Sequence, residues 1–224
     1  MARWKGAYTS GPGVMRTAAK IRASRLRRRP VLPVTVQPTK ADIAIANAIT
    51  HNTKPAPEAI ARALTWGADE KVLLALAAAG WLASRGRSDV LRRAGNHALF
   101  VTIAASLLPH GLKAVFDQTR PDRRTVVGHL HGVSFSGKRN DAFPSGHALH
   151  MGALASAAGT LPALPRRAIQ TVAVGLSLTR ILVLAHWASD VVAGFALGAL
   201  LERLLRLRTG YPLERSKEDD HANS

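Results

Sequence analysis

The chain has 224 residues and no cysteine, so its length fits one domain and its composition excludes disulfides, thiolate metal sites and a thiol nucleophile. Its 31 Lys and Arg residues outnumber its 14 Asp and Glu residues, and the formal net charge is +17. A charge of this size favours an anionic partner, which can be a nucleic acid, an anionic membrane surface or a phosphorylated substrate.

The charges are concentrated near the two ends of the chain. Residues 1–40 contain ten Lys or Arg residues and no acid, and residues 206–224 are polar again. We therefore divide the chain into a basic, disordered tail (1–40), a membrane domain (41–205) and a polar C-terminal tail (206–224). We expect the basic tail to lie on anionic lipid headgroups, although its Arg-rich composition also fits an organellar transit peptide. No nucleic-acid-binding fold follows the tail, so we expect no nucleic-acid partner.

Two short helices are predicted first in chain order. Thr39 and Asp42 have the spacing of a capping box, which predicts a helix that ends near Thr50. A loop is predicted over 51–57, and Pro57 is well placed to start a second helix. This second helix is amphipathic, so we expect it to lie in the membrane interface. The sequence leaves open whether the region 41–65 crosses the membrane instead.

Apolar segments of membrane-spanning character follow these helices. A span needs roughly 20 mostly apolar residues, and the charge-free windows 94–112 and 142–165 come close to this length or exceed it. The predicted spans lie near residues 67–84, 90–112, 146–162, 165–181 and 185–205. The predicted fold class is all-α: an integral membrane helical bundle with about five to six transmembrane helices and an N-terminal interfacial helix. A soluble bundle of buried helices is the alternative.

The arginines in the connecting loops predict an orientation for the bundle. With five spans, the arginines of 85–93, 166–167 and 203–208 fall on the same side, which the positive-inside rule makes cytoplasmic. The long polar loop 113–144 is then extracytoplasmic. The basic tail over 1–40 would also be outside, against the same rule, so the side of the tail stays open.

Three short motifs place polar and charged residues at the ends of predicted spans. They are Lys113-x6-Arg120-Pro121, Pro144-Ser145-Gly146-His147 and Arg180-x5-His186-x3-Asp190. Charged residues at a membrane boundary are costly, and they indicate function when several of them can converge. The spans that carry the motifs are expected to be antiparallel neighbours, so their ends can meet on one face.

The residue types of the three motifs fit a phosphate site. The motifs supply three cations that can neutralise a phosphoryl group, and a helix start at Ser145 and Gly146 can direct backbone N–H groups at the same anion. His186 and Asp190 are one helical turn apart, so the carboxylate can hold one ring nitrogen and leave the other free to attack. His147 can protonate a leaving oxygen.

The three motifs together resemble the signature of the type 2 phosphatidic acid phosphatase superfamily, in its membrane lipid phosphatase branch. The third motif begins with Thr179 where the family usually has serine, and the hydroxyl group is retained. The resemblance implies a phosphohistidine mechanism, with His186 as nucleophile, Asp190 as its partner and His147 as general acid. The phosphate-binding residues that it implies are Lys113, Arg120, Ser145, Gly146 and Arg180.

The predicted protein is a multi-pass cell-membrane phosphatase that hydrolyses a lipid phosphomonoester or diphosphate. It is expected to need no metal or other cofactor, and its active site is expected to face the extracytoplasmic side. Its expected partners are the lipid substrate and membrane lipids. Phosphatidic acid, phosphatidylglycerophosphate and polyprenyl diphosphates are all compatible substrates, and the oligomeric state is not predicted. The alternatives are a vanadate-dependent haloperoxidase-like enzyme and a non-catalytic membrane anchor with a basic recruiting tail.

The remaining histidines and tryptophans show weaker patterns. His129 and His131 have the spacing of a metal pair, but the carboxylates of the same loop are scattered, which disfavours a metal site. The histidines without a partner pattern are interpreted as structural: His51, His97, His110 and His150. The tryptophans are interpreted as interface anchors or packing residues: Trp66, Trp81 and Trp187.

Overall fold

A computed structural model of the chain describes residues 34–52, 54–123 and 140–212. These residues form seven α-helices: α1 (Lys40–Asn52), α2 (Pro55–Leu64), α3 (Glu70–Ala83), α4 (Asp89–Val115), α5 (Gly146–Ala157), α6 (Ala163–Leu182) and α7 (Ala188–Thr209). Two strands of two residues each, β1 (Val34–Thr35) and β2 (Phe116–Asp117), pair in parallel. The fold is thus mostly helical, as predicted. Most of the basic tail, the pair His129 and His131, and most of the polar C-terminal tail lie outside the described residues.

The starts of the first helices follow from capping side chains and proline. The Asp42 carboxylate accepts a hydrogen bond from the Thr39 backbone N–H at 2.9 Å, and the Thr39 hydroxyl accepts one from the Asp42 N–H at 3.1 Å. This confirms the predicted capping box, and α1 continues two residues beyond Thr50. The predicted start of the second helix at Pro57 was wrong by two residues, because Pro55 comes first and fits the first turn equally well.

The lengths of the later helices bear on the predicted membrane spans. Among the described helices, only α4 is both long enough and apolar enough to cross a membrane by length and composition. Helix α5 has 12 residues and is therefore roughly 18 Å long, short of the roughly 30 Å hydrocarbon core. Helices α6 and α7 are long enough but carry charged residues. The number of spans therefore stays a prediction.

Helices α5 and α7 form the most extensive helix pair of the bundle, and glycines allow their close approach. A Cβ atom at Gly152 of α5 would collide with the Phe195 carbonyl of α7. In the same way, a Cβ atom at Gly198 of α7 would collide with the Leu149 carbonyl of α5. Small residues let helix backbones pack in direct contact. This contact fixes α5 and α7 relative to each other, and both helices begin at the candidate active site.

A buried polar cluster lies at the other end of α7. His97 of α4 lies with its Nε2 atom 3.0 Å from Glu202 Oε1 and its Nδ1 atom 2.7 Å from the Thr209 hydroxyl. Arg206 donates two hydrogen bonds to Glu202 Oε1, and Ser156 of α5 donates one to Glu202 Oε2. The cluster joins α4, α5 and α7, so the structural interpretation of His97 holds.

Candidate active site

The ends of four helices and the loop before α7 surround a cavity of about 470 Å³. Helices α3 and α5 start at this cavity and α4 and α6 end there, so consecutive helices are antiparallel, as predicted for the motif-bearing spans. Six lining residues belong to the predicted motifs: Lys113, Arg120, Gly146, His147, Arg180 and His186. The other lining residues are Asp69, Glu70, Lys71, Pro109, His110 and His150.

Two of the three cations are held by a carboxylate that the sequence analysis did not assign. The Arg120 guanidinium donates from Nε and from Nη2 to Asp141 Oδ1, both at 2.9 Å, and from Nη1 to the Ala185 carbonyl at 3.2 Å. The Lys113 ammonium lies 3.8 Å from Asp141 Oδ2. Asp141 thus orients Arg120 and offsets part of the positive charge of the cavity.

The third cation is buried and can donate a further hydrogen bond. Arg180 lies in the last turn of α6 with only 6% of its surface exposed. Its Nε atom is buried and has no hydrogen-bond partner among the described residues. An unpaired buried donor is costly, and an anion in the cavity would satisfy it.

The imidazole of His186 is fixed by a backbone group. His186 is almost fully buried in the loop between α6 and α7, and its Nδ1 atom lies 2.7 Å from the Ala142 carbonyl oxygen. Since a carbonyl only accepts, the proton of the neutral ring resides on Nδ1 and Nε2 carries a lone pair. Burial, together with the cations Arg120, Arg180 and Lys113, holds the pKa of His186 well below its ordinary range. The ring is therefore neutral at neutral pH.

Asp190 lies close to His186 but beyond hydrogen-bond distance. Its Oδ2 atom is 3.9 Å from His186 Nδ1 and accepts a hydrogen bond of 2.9 Å from the Trp187 backbone N–H. Asp190 therefore closes the N-terminus of α7, and the partner role expected from the resemblance would act through its charge. The Asp190 carbonyl accepts a hydrogen bond from the Ser145 N–H at 3.2 Å, which connects α7 to the start of α5.

The start of α5 completes the cavity. Ser145 is fully buried, and its hydroxyl accepts from the Ala148 N–H at 3.4 Å, so this side chain serves as the helix cap. Gly146 and His147 occupy the first turn, where backbone N–H groups lack carbonyl partners within the helix. These groups and the positive end of the helix dipole can bind an anion.

Several residues at the cavity were missed or interpreted differently from the sequence. His110 and His150, interpreted as structural, both line the cavity. Asp69 caps α3 through the Lys71 N–H at 2.9 Å, and its place in the first turn of a predicted span was the available signal. Within the described ranges, no three His, Asp or Glu side chains converge as metal ligands do.

The remaining residues singled out in the sequence lie away from the cavity or pack beneath it. The Thr179 hydroxyl donates to the Leu176 carbonyl at 2.6 Å and lies 3.0 Å from the Thr65 hydroxyl, so it stabilises the end of α6. Trp187 is buried and donates to the Thr119 carbonyl at 2.8 Å, as expected of a packing residue. Trp66 is 70% exposed, which suits an interface anchor.

Comparison with known proteins gives concordant results. A family model for the PAP2 superfamily matches residues 94–211. A lipid A 1-phosphatase of Rhizobium johnstonii is 36% identical over 120 residues, which cover 52% of this chain and 49% of the relative. A lipid A 1-phosphatase of Rhizobium etli is 38% identical over 117 residues, which cover 50% of each protein. The chain thus spans about half the length of the curated relatives it matches.

One solved structure supports the fold independently. The crystal structure of a transmembrane PAP2-type phosphatidylglycerolphosphate phosphatase from Bacillus subtilis matches with a TM-score of 0.59 and 23% sequence identity. The match covers 91% of this chain and 98% of the other. It includes helices on the N-terminal side of residue 94, where the family match begins.

Proposed function

The chain belongs to the PAP2 superfamily, and on this basis and the geometry of the cavity we propose that it is a membrane phosphatase acting on a lipid phosphate. The observation that carries the proposal is the convergence of Lys113, Arg120 and Arg180 on the cavity that His186 also lines. Three cations and a neutral nucleophile are what transfer of a dianionic phosphoryl group requires.

The proposed reaction has two steps. In the first, His186 Nε2 attacks phosphorus and forms a P–N bond while the bond to the lipid oxygen breaks, and His147 donates a proton to that oxygen. In the second, water attacks the phosphorus of the phosphohistidine and the P–N bond breaks, while His147 accepts a proton from the water. Phosphate leaves, and His186 is neutral again. The Ala142 carbonyl accepts from Nδ1–H throughout, and the charge of Asp190 stabilises the cationic ring.

The outer surface of the helices supports a place in the membrane. Large apolar side chains are exposed on the outside of the later helices, and a surface of this kind requires a lipid or protein environment. The most exposed of them include Leu76 and Leu82 on α3, Leu107 on α4, Leu164 and Val172 on α6, and Val192 and Leu207 on α7. We therefore propose a multi-pass protein, and from the arginines of the connecting loops we propose that its cavity opens at the extracytoplasmic boundary.

The relatives suggest where to begin the search for a substrate. Two of them are lipid A 1-phosphatases, so the sugar phosphate of a glycolipid is the first candidate. Phosphatidic acid, phosphatidylglycerophosphate and polyprenyl diphosphate are the other candidates. All four present a phosphoryl group on a lipid head that lies at the membrane–water boundary.

Phosphate release by the purified full chain in detergent micelles tests the proposal. We expect release from at least one of the four lipids, with and without a chelator, because Lys and Arg supply the positive charge. We expect no release by His186→Ala. Rapid quenching should trap an acid-labile, alkali-stable phosphoenzyme in the wild type. No release from any of the lipids, or from a soluble aryl phosphate, would favour the non-catalytic anchor instead.

A further inference from the structure

Residues 34–52 lie outside the family match, yet at three places they contact segments that carry or flank residues of the candidate site. The first contact is the strand pair, in which Val34 and Thr35 align with Phe116 and Asp117. The pairing is extended by a hydrogen bond of 2.8 Å from the Val36 N–H to the Asp117 carbonyl. Strand β2 leads directly into the segment that carries Arg120.

The second contact is made by the apolar face of α1. Ala46 packs against Ala142, Leu184 and Trp187, and Ile49 extends this packing. Ala142 supplies the carbonyl that holds His186, and the other two contacted residues flank His186 in the loop before α7. Helix α1 therefore supports the backbone on both sides of the nucleophile.

The third contact is the carboxylate of Asp42, which is 3% exposed. Its Oδ1 atom accepts a hydrogen bond from the Ser189 backbone N–H at 2.9 Å, and its Oδ2 atom accepts one from the Ser189 hydroxyl at 2.8 Å. The same Oδ2 atom accepts from the Thr39 N–H at 2.9 Å and from the Thr39 hydroxyl at 2.8 Å. One buried carboxylate thus closes the N-termini of α1 and α7 together.

We infer that Asp42 is a positioning residue for phosphoryl transfer: it holds the start of α7, and through it His186 and Asp190, in the reactive geometry. Ser189 directly precedes Asp190 and is three residues after His186. The Asp42 carboxylate therefore ties the start of α7 to α1, in addition to the contact of α7 with α5 and the hydrogen bond from the Ser145 N–H to the Asp190 carbonyl. This inference rests on the proposed phosphatase activity.

The electrostatics of Asp42 fit this role. Burial alone would raise the pKa of Asp42, but the hydrogen bonds from Ser189 and Thr39 outweigh it and hold the pKa below its ordinary range. The side chain is therefore a carboxylate at neutral pH. A carboxylate at a helix N-terminus is also stabilised by the helix dipole, and here two helices contribute.

The test is Asp42→Asn in the full chain, assayed with an aryl phosphate and with the best lipid substrate. The amide keeps the shape but loses the charge and turns one acceptor into a donor that faces N–H and O–H groups. Misplacement of a reacting group by about 1 Å can cost on the order of a hundredfold, so we expect kcat to fall by about ten- to a hundredfold on both substrates. KM should stay unchanged, because Asp141 orients Lys113 and Arg120 and because Arg180 is carried by α6.

The matched control is Asp89→Asn, which changes an exposed carboxylate in the first turn of α4 at the other end of the bundle. It should leave kcat and KM unchanged.

If Asp42→Asn does not fold, Ser189→Ala tests the inference instead, because it removes one of the two donors on α7 and leaves the α1 cap intact. We expect Ser189→Ala to lower kcat severalfold without lowering the melting temperature, and Ser189→Thr to restore kcat.

The outcomes separate positioning from simple stabilisation. A folded Asp42→Asn protein with wild-type kcat would overturn the inference. A loss of activity that only follows the loss of folded protein, with kcat per folded molecule unchanged, would also overturn it. A Ser189→Ala variant with unchanged kcat would do the same. A wild-type protein that is inactive on both substrates would instead overturn the proposed function.

Discussion

The Nδ1 atom of His186 lies 2.7 Å from the carbonyl oxygen of Ala142, which precedes it by 44 residues in the chain. A backbone acceptor at this distance fixes both the ring orientation and the tautomer, since a carbonyl cannot donate. The carboxylate of Asp190 is 3.9 Å from the same atom and does not hydrogen-bond to it. In the proposed mechanism, orientation of His186 and stabilisation of its positive charge therefore come from two different groups.

Because these two effects come from different groups, Asp190→Asn should slow turnover without changing the tautomer of His186. Two unit charges about 4 Å apart interact by up to about 4 kcal/mol at an effective dielectric constant of about 20, so loss of the carboxylate should slow turnover by roughly a hundred- to a thousandfold. The tautomer should not change, because the Ala142 carbonyl still accepts from Nδ1–H. Turnover and the ¹⁵N chemical shifts of the His186 ring measure the two effects separately.

The capping function of Asp190 makes this variant interpretable. The asparagine oxygen can still accept from the Trp187 N–H, so the start of α7 should remain intact and the melting temperature should stay close to that of the wild type. A ring that loses its Nδ1–H tautomer in Asp190→Asn would show that the carboxylate orients the histidine after all. Near-normal turnover would remove Asp190 from the mechanism.

The low pKa of His186 predicts the acid side of the pH profile. A histidine with its ordinary pKa of about 6.5 would lose nucleophilicity as the pH falls through that value. Burial and the neighbouring cations Arg120, Arg180 and Lys113 lower the pKa, so the ring stays neutral to lower pH. We expect the acid limb of kcat/KM to lie below pH 6.5.

The substrate has its own ionisation near pH 6, which must be separated from that of the enzyme. The phosphate ionisation of the substrate, followed by ³¹P NMR in the assay buffer, provides the correction. An acid limb that stays at or above pH 6.5 after this correction would contradict a lowered pKa of His186.

Much of the candidate site could be predicted, because its residues are polar and charged side chains at the ends of apolar segments. Lys113, His147 and Arg180 lie at the ends of apolar segments, and alternating helix direction alone brings them to one side of a bundle. The cap formed by Thr39 and Asp42 is equally local, since it depends on a spacing of three residues. Local patterns of this kind are what a single sequence records.

The parts that could not be predicted depend on long-range contacts. The acceptor for His186 is the backbone of Ala142, and a backbone carbonyl leaves no signal in a sequence. The pairing of Arg120 with Asp141 joins residues 21 positions apart across a loop, and other carboxylates of that loop were equally plausible partners. The second role of Asp42 requires α1 to lie against α7, a contact across 147 residues.

The close contact of α5 with α7 predicts the effect of Gly198→Ala. The new methyl group would collide with the backbone of Leu149 and Ala153, which cannot move as a flexible side chain can. Overpacking of this kind costs about 1–3 kcal/mol, so the melting temperature should fall by several degrees. Activity should fall as well, because the two helices carry His147 and Asp190.

Gly175→Ala is the matched control for this change. It lies within α6, and a Cβ atom there has no neighbour within 4 Å. Alanine in a helix interior is about 1 kcal/mol more stable than glycine, so the control should be as stable as the wild type or slightly more stable. Equal melting temperatures for the two variants would show that the α5–α7 contact is looser than described.

A comparison of His147→Ala with His186→Ala separates the roles of the two histidines. A nucleophile is needed for every substrate, so His186→Ala should be inactive whatever the leaving group. A general acid matters in proportion to how much the leaving oxygen needs a proton. An alkoxide such as the glycerol oxygen of phosphatidic acid needs one, and a nitrophenolate hardly does.

His147→Ala should therefore lose on the order of a hundredfold or more on phosphatidic acid and much less on nitrophenyl phosphate, since a positioned general acid contributes about 10²–10⁴-fold. A polyprenyl diphosphate should fall between them, because its leaving group is itself a phosphate. His147 in the first turn of α5 and His186 in the loop before α7 line the same cavity, as the two proposed roles require. Turnover of each variant on the three substrates makes the comparison. If His147→Ala were equally impaired on all three while His186→Ala kept aryl phosphatase activity, the two roles would have to be exchanged.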